Sequence, residues 1–164
     1  MCYTWSMRAN SVGKMCSEVD LAYVAGLVDG DGAIMACIEP HQEKKFRFRV
    51  RVVFKVTQKH KEDLIFLEKL FECGLIRQNG STYDWIVRDQ QSLATILGML
   101  LPYSRSKQQQ IKLALDILHT EIVTKEDLLR VATLADALSR FNVRSNNRRK
   151  NHVTMIQEHI SSND

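Results

Sequence analysis

Two carboxylates set two residues apart, each followed by glycine, are the residues of this chain most suited to chemistry: Asp29-Gly30-Asp31-Gly32. They close a run in which Leu21, Val24, Leu27 and Val28 recur at helical spacing. Ala22, Gly26 and Gly30 follow one another four residues apart, with Ala25 beside them, so one flank of this helix is nearly bare of side chains. Glycine costs roughly 0.8–1.0 kcal/mol relative to alanine inside a helix. Two in one short helix suggest that something must approach its backbone closely. Acids at a helix C-terminus also face the negative end of the dipole, a conflict that a bound divalent cation would resolve. An ordinary helix cap and turn would use the same residues. A calcium loop opening at Asp29 is excluded, because Ile34 stands where such a loop needs glycine and Pro40 where it needs its bidentate glutamate.

A second chemical signal runs from Phe46 to Gln58. Phe46, Phe48, Val50, Val52, Phe54 and Val56 alternate with Arg47, Arg49, Arg51, Val53, Lys55 and Thr57. Strict period two predicts a strand with one side buried and one side solvated. A solvated edge strand also uses charge, as a guard against aggregation. Three arginines and a lysine on one face go further, because like charges so aligned repel unless a polyanion lies across them. Phosphates and guanine edges suit arginine best.

The elements that must position these residues can be read from the rest of the chain. At 164 residues and 45% hydrophobic content it is one domain's worth, with room for a core. Lysine and arginine exceed aspartate and glutamate by 23 − 19 = +4, a mildly basic balance compatible with a nucleic-acid partner. The four cysteines form no C-x-x-C pair, so no zinc motif is present, and scattered thiols fit a reducing compartment. No apolar run is long enough to span a membrane, and no secretory segment is present. Residues 1–17 contain no acid and have the flavour of a short organellar transit peptide; they read as a disordered leader before a single domain over 18–164.

After the first helix, Ala33 to Pro40 reads as a strand and His41 to Lys45 as a turn into the arginine strand. Lys61 to Cys73 is amphipathic, with Leu64, Leu67, Leu70 and Phe71 on one face, and Gly74 ends it. Leu75 to Arg77 and Tyr83 to Arg88 flank Gln78-Asn79-Gly80-Ser81, whose Asn-Gly pair signals a hairpin. Helices follow at Leu93 to Leu101, capped by Asp89 or Ser92 and stopped by Pro102, then from Lys107, then over Lys125 to Phe141. A polar stretch with Arg148-Arg149-Lys150 precedes a last short helix. The order predicts an α+β chain with four strands, not a parallel βαβ sheet.

Val24-Ala25-Gly26-Leu27-Val28-Asp29-Gly30-Asp31-Gly32 resembles the signature of the LAGLIDADG homing endonucleases. Phe54-Lys55-Val56-Thr57-Gln58-Lys59 resembles the family's second-strand terminus, where a glutamine enters the active site. Leu101-Pro102-Tyr103 followed by Lys107-Gln108-Gln109-Gln110 resembles the segment that supplies a catalytic lysine. The likeness runs from about Leu21 to about Phe141 and is nearest the small single-motif enzymes of chloroplast and mitochondrial group I introns.

The resemblance implies an αββαββα fold with a four-stranded antiparallel saddle sheet and additional C-terminal helices. It implies double-strand cleavage of DNA at a long pseudo-palindromic target, in the service of intron homing. It also implies a homodimer, since one signature copy gives half an active site and two-fold symmetry supplies the other half. The implied cofactor is Mg2+, with Mn2+ or Ca2+ as substitutes, and the implied location is organellar, chloroplast ahead of mitochondrion. By the same resemblance Asp31 ligates metal beside the carbonyl of Gly30, Gln58 positions water or metal, and Lys107 sits near the phosphate and the nucleophilic water. A second basic residue is usual a turn past the glutamine; Glu62 and Asp63 fall there, which leaves Lys61 as the candidate. Ala22, Ala25 and Gly26 form the dimer flank, and Asp29 caps the paired helices without ligating metal. The DNA face comprises Glu39, His41, Glu43, Lys44, Arg47, Arg49, Arg51 and Lys55, with Arg77, Asn79, Asp84 and Arg88 from the second hairpin. Glu39 and Glu43 would accept from cytosine amines.

Two other classes compete. An RNA maturase acting on intron RNA, or a non-cleaving DNA-binding regulator, would keep the fold and lose cleavage, against which the retained Asp31, Gln58 and Lys107 argue. A plain α+β interaction domain would leave the arginine strand to chance.

Overall fold

The computed structural model describes residues 16–142 and 151–161. Helix α1 (Glu18–Asp31) opens at Ser17, whose hydroxyl accepts from the Asp20 amide at 3.1 Å. Ser17 is therefore part of the fold; residues 1–15 of the expected leader, and the basic run Arg148-Arg149-Lys150, lie outside the described residues. Leu21, Val24, Ala25 and Val28 form the buried face of α1. The chain passes from α1 directly into strand β1 (Gly32–Pro40). At Gly32 a Cβ would stand 2.6 Å from the Val28 carbonyl oxygen and 2.9 Å from its Cγ1, so only glycine allows helix to become strand without a linker.

Strand β2 (Phe48–Gln58) begins two residues later than the alternation predicts. Arg47 has φ 62°, and its amide donates to the Lys44 carbonyl while its own carbonyl accepts from the His41 amide. It belongs to the turn, not to the strand face; its guanidinium donates to the Gln42 carbonyl at 2.8 Å. Alternation reports side chains, and the left-handed turn residue happened to fall in phase.

Helix α2 (Lys61–Phe71) also ends before the expected glycine, at Glu72 in the left-handed region. Gly74 instead makes room for Trp85. With φ 88°, it would carry a Cβ 2.3 Å from the indole Nε1. Trp85 is fully buried, stacks on Phe71 at 5.8 Å, meets Phe54 edge-on at 5.7 Å and donates to the Cys73 carbonyl. Strands β3 (Leu75–Asn79) and β4 (Thr82–Val87) are joined by Gly80-Ser81, with Asn79 paired to Thr82. The turn proper is thus Gly-Ser, Gly80 having φ 61°, and Asn79 ends the strand.

The sheet is antiparallel throughout, in the order β1-β2-β4-β3. Ile34, Ala36, Ile38, Val52, Phe54, Val56, Trp85 and Val87 are buried on the face that the helices cover, and the other face is open. Asp89 caps α3 (Gln90–Leu100), accepting from the Ser92 amide at 2.8 Å. Helix α4 (Gln108–His119) follows a short turn. In α5 (Lys125–Asn142), Thr124 and Asp127 cap each other's amides at 2.8 and 3.1 Å. Asp136 of α5 accepts from the His152 and Val153 amides and so caps α6 (His152–Ser161). The architecture is the α+β, αββαββα order expected, with three added helices.

Candidate active site and nucleic-acid face

Residues two apart on a helix project roughly 200° apart around its axis, so Asp29 and Asp31 cannot serve one purpose. Asp29 turns inward. Its carboxylate accepts from the Ser104 hydroxyl at 2.5 Å and from the amides of Arg105, Ser106 and Lys107 at 2.7, 3.0 and 3.1 Å. Burial alone would push the Asp29 carboxyl up, but these four bonds outweigh it and hold the group below the usual carboxylate range. Asp29 thus fixes the turn into α4. Both of its carboxylate oxygens are bonded within its own chain, at the start of α4, where it was expected to cap paired helices.

That turn delivers Lys107, the N-cap of α4, whose Nζ donates to the Asp29 carbonyl oxygen at 2.8 Å. The carbonyl belongs to the last turn of α1, where backbone acceptors lack helical partners and the dipole is negative. Helix α1 has no basic residue of its own there, so Lys107 supplies the cation from another element. Asp31 faces outward and is exposed, and the Gln58 Nε2 amide donates to its Oδ2 at 2.8 Å. Three elements therefore converge on one helix end: α1 with Asp31, the end of β2 with Gln58, and the start of α4 with Lys107. Lys61, first in α2, is exposed and makes no bond to these three. Among the described residues no three His, Cys, Asp or Glu side chains gather as a metal-holding group.

The flank of α1 divides. Ala22, Gly26 and Gly30 are exposed, and a Cβ on either glycine would meet no atom within 4 Å. Nothing inside this chain requires glycine at those positions. Ala25, in contrast, is fully buried in the chain's own core. It was expected on the bare flank, but it shares the inward face with Val24 and Val28.

The open sheet face holds a groove with Met35, Val53 and Ile86 in its lining and Glu39, Arg51, Lys55, Arg77 and Arg88 among the charged residues around them. Arg51 donates to Glu39 at 2.7 Å, and Arg49 contacts the His41 ring. Arg51 Nε and His41 Nδ1 are buried and have no hydrogen-bond partner within the chain. Glu43 and Lys44 are exposed in the turn.

Asp84 departs from expectation. Its side chain is fully buried, taking bonds from the Thr57 hydroxyl at 2.6 Å and the Asn79 amide at 3.0 Å, with Lys55 and Arg77 at 3.6 and 3.8 Å. The register Thr57↔Asp84↔Arg77 puts these side chains on one face across three strands. Asp84 therefore organises the basic face and offers no free acceptor to a base, while Asn79 is committed to it. Thr57 and Ser104 were not anticipated; Thr57 stood in the outward row of the alternation, whereas nothing in the sequence marks Ser104.

The Asp84 cluster predicts an acid response. Burial raises its pKa, but the Thr57 bond, the Lys55 charge, the Asn79 bond and the Arg77 charge lower it further, and the net shift is down. A depressed folded-state pKa gives stability that is present above the unfolded value of about 3.9 and is lost as pH falls through the folded value. Asp84→Asn should cost about 1–3 kcal/mol at neutral pH, and the gap from wild type should narrow in acid. Thermal melts at neutral pH and near pH 2 test this; a constant gap would contradict it.

A profile of the LAGLIDADG endonuclease family matches residues 24–118, a span that contains the last eight residues of α1, the whole sheet, Gln58 and Lys107. The chain belongs to the LAGLIDADG endonuclease family. DNA endonuclease I-CreI of Chlamydomonas reinhardtii is 38% identical over 128 residues, which cover 74% of this chain and 78% of that protein. DNA endonuclease I-CvuI of Chlorella vulgaris is 36% identical over 125 residues, covering 73% and 77%. The crystal structure of I-CvuI in complex with the I-CreI target, with 2 mM Mg and uncleaved DNA, matches this LAGLIDADG fold with a TM-score of 0.79. That match has 29% identity and covers 88% of this chain and 94% of that one. The archaeal intron-encoded I-Vdi141I, complexed with DNA, shares the fold at a TM-score of 0.76 and 18% identity, over 88% and 98% of the two chains.

Proposed function

We propose that this LAGLIDADG endonuclease is a site-specific homing endonuclease that cuts both strands of DNA as a homodimer, with divalent cations, Mg2+ foremost, in its centre. The observation that carries this reading is the convergence of Asp31, Gln58 and Lys107 on the end of a helix whose glycine flank is open. The Asp31 oxygen left free by Gln58, together with the Gly30 carbonyl, is a hard donor set suited to Mg2+ or Ca2+. A cation held there would neutralise phosphate charge and lower the pKa of bound water. One chain offers one such carboxylate, so two-fold pairing through Ala22, Gly26 and Gly30 would bring two together. Gln58 fixes the Asp31 rotamer, and Lys107, tied to the end of α1, is a fixed cation for a phosphate oxygen. The relatives that are 38% and 36% identical come from Chlamydomonas reinhardtii and Chlorella vulgaris, and with the resemblance to organellar intron enzymes this supports an organelle, chloroplast ahead of mitochondrion.

The test is cleavage of a randomised double-stranded DNA library with Mg2+, alongside light scattering. A recovered pseudo-palindromic target and a dimeric mass are expected; a monomer that cleaves, or cleavage of no sequence, would overturn the reading. On the recovered target, Arg51→Ala should weaken binding by about 1–3 kcal/mol, with little change on random DNA. An equal loss on both would make Arg51 a phosphate contact, and no loss on either would remove the open face from DNA recognition.

A further inference from the structure

Strand β4 leaves the sheet too early for its neighbour. The last β2–β4 pair is Phe54↔Val87, after which the chain turns through Arg88 and Asp89 into α3. Two residues back along β2, the amide and carbonyl of Val52 point to the same side as those of Phe54 and have no strand to meet. The Gln90 side chain meets them. Its Oε1 accepts from the Val52 amide at 2.8 Å and its Nε2 donates to the Val52 carbonyl at 2.9 Å. These are the two bonds of an antiparallel hydrogen-bonded pair, supplied by a side chain. Nε2 also donates to the Arg88 carbonyl at 2.7 Å.

We propose that Gln90 is a positioning residue for target discrimination, its amide replacing the missing strand partner at Val52 and thereby fixing the pose of Arg51. Val52 is fully buried, so its backbone groups have no water to fall back on. An uncharged carboxamide carries donor and acceptor in peptide-like geometry, and Gln90 stands at the first position of a helix capped by Asp89. Arg51 precedes Val52 and Arg88 lies two residues before Gln90, and both line the open groove. One amide therefore ties together the backbones that carry two groove arginines. Bidentate contacts to base edges are directional, so a loosened backbone at Val52 blurs what Arg51 distinguishes without removing its charge.

This inference rests on the reading of the open face as the DNA-contacting one. Gln90→Met keeps the side-chain length and removes all three bonds. In the free protein it should speed hydrogen exchange of the Val52 amide at least tenfold, with the Val56 amide unchanged. With Ca2+, on the target recovered from the randomised library, it should lose about tenfold in discrimination at the base pairs that Arg51→Ala also blurs. The double variant should lose no more than Arg51→Ala alone. Unchanged exchange at Val52, a uniform loss across the target, or additive losses would each overturn the proposal. Should Gln90→Met not fold, Gln90→Glu carries the discrimination test, since its carboxylate still accepts from the Val52 amide but cannot donate to the Val52 or Arg88 carbonyl. If the wild-type protein selects no sequence, the proposed function fails, while exchange at Val52 still decides the tether.

Discussion

Asp31→Asn is expected to lower cleavage at least about a thousandfold, roughly 4 kcal/mol of transition-state stabilisation, and to leave DNA binding intact. Asparagine keeps the shape and still accepts from the Gln58 amide, so the helix end and the strand end stay joined. What it lacks is the negative charge that would hold a divalent cation against a phosphate. Asp31 is exposed and is not part of the core, so no packing is lost. On the proposed function, affinity would come from many contacts to bases and phosphates made by the open face of β2 to β4, and not from α1. A gel shift with Ca2+ and a cleavage assay with Mg2+ separate the two effects. Cleavage at the wild-type rate would take Asp31 out of the centre, and loss of binding together with dimerisation would make the residue structural.

Gly26→Leu should give a folded monomer that cuts nothing. Within one chain the new side chain meets no atom within 4 Å of its first carbon, so the fold has no objection to it. Leucine is also the better helix former by up to about 1 kcal/mol, and the thermal midpoint of the isolated chain should hold or rise. Two such helices laid flank to flank would be forced apart by the added bulk. Because each chain supplies one Asp31, cleavage should disappear with the dimer. Light scattering and a melt distinguish this result from misfolding. A variant that remains dimeric would move the interface off this flank.

The order of elements and the basic side of the sheet were legible because both rest on period. Alternation over β2 marked Arg49, Arg51 and Lys55, and helical spacing marked Leu21, Val24 and Val28. Period could not show that Arg47 sits at φ 62° in a turn, since a single left-handed residue leaves the alternation unbroken. Nor could it show that Ala25 faces the core, because small residues on both sides of α1 look alike in sequence. The fates of Asp29 and Asp84 depend on donors 75–78 and 5–27 residues away in the chain. Nothing local to either aspartate distinguishes a carboxylate that binds outward from one already taken. Gln90 was hidden for the same reason, as its partner Val52 lies 38 residues back.

The sharing of Asp84 among Thr57, Asn79, Lys55 and Arg77 bears on how such a protein can acquire a new target. Changing Arg77 alone leaves Asp84 with less counter-charge and shifts Lys55, which lies on another strand and, on the proposed function, would face other bases. Effects within this quartet should be epistatic, whereas Lys44, outside it on an exposed turn, can drift alone. A lineage, or a designer, moving to a new sequence would have to replace Lys55, Thr57, Arg77 and Asn79 as a block across both hairpins, while trading the first-hairpin turn residue by residue.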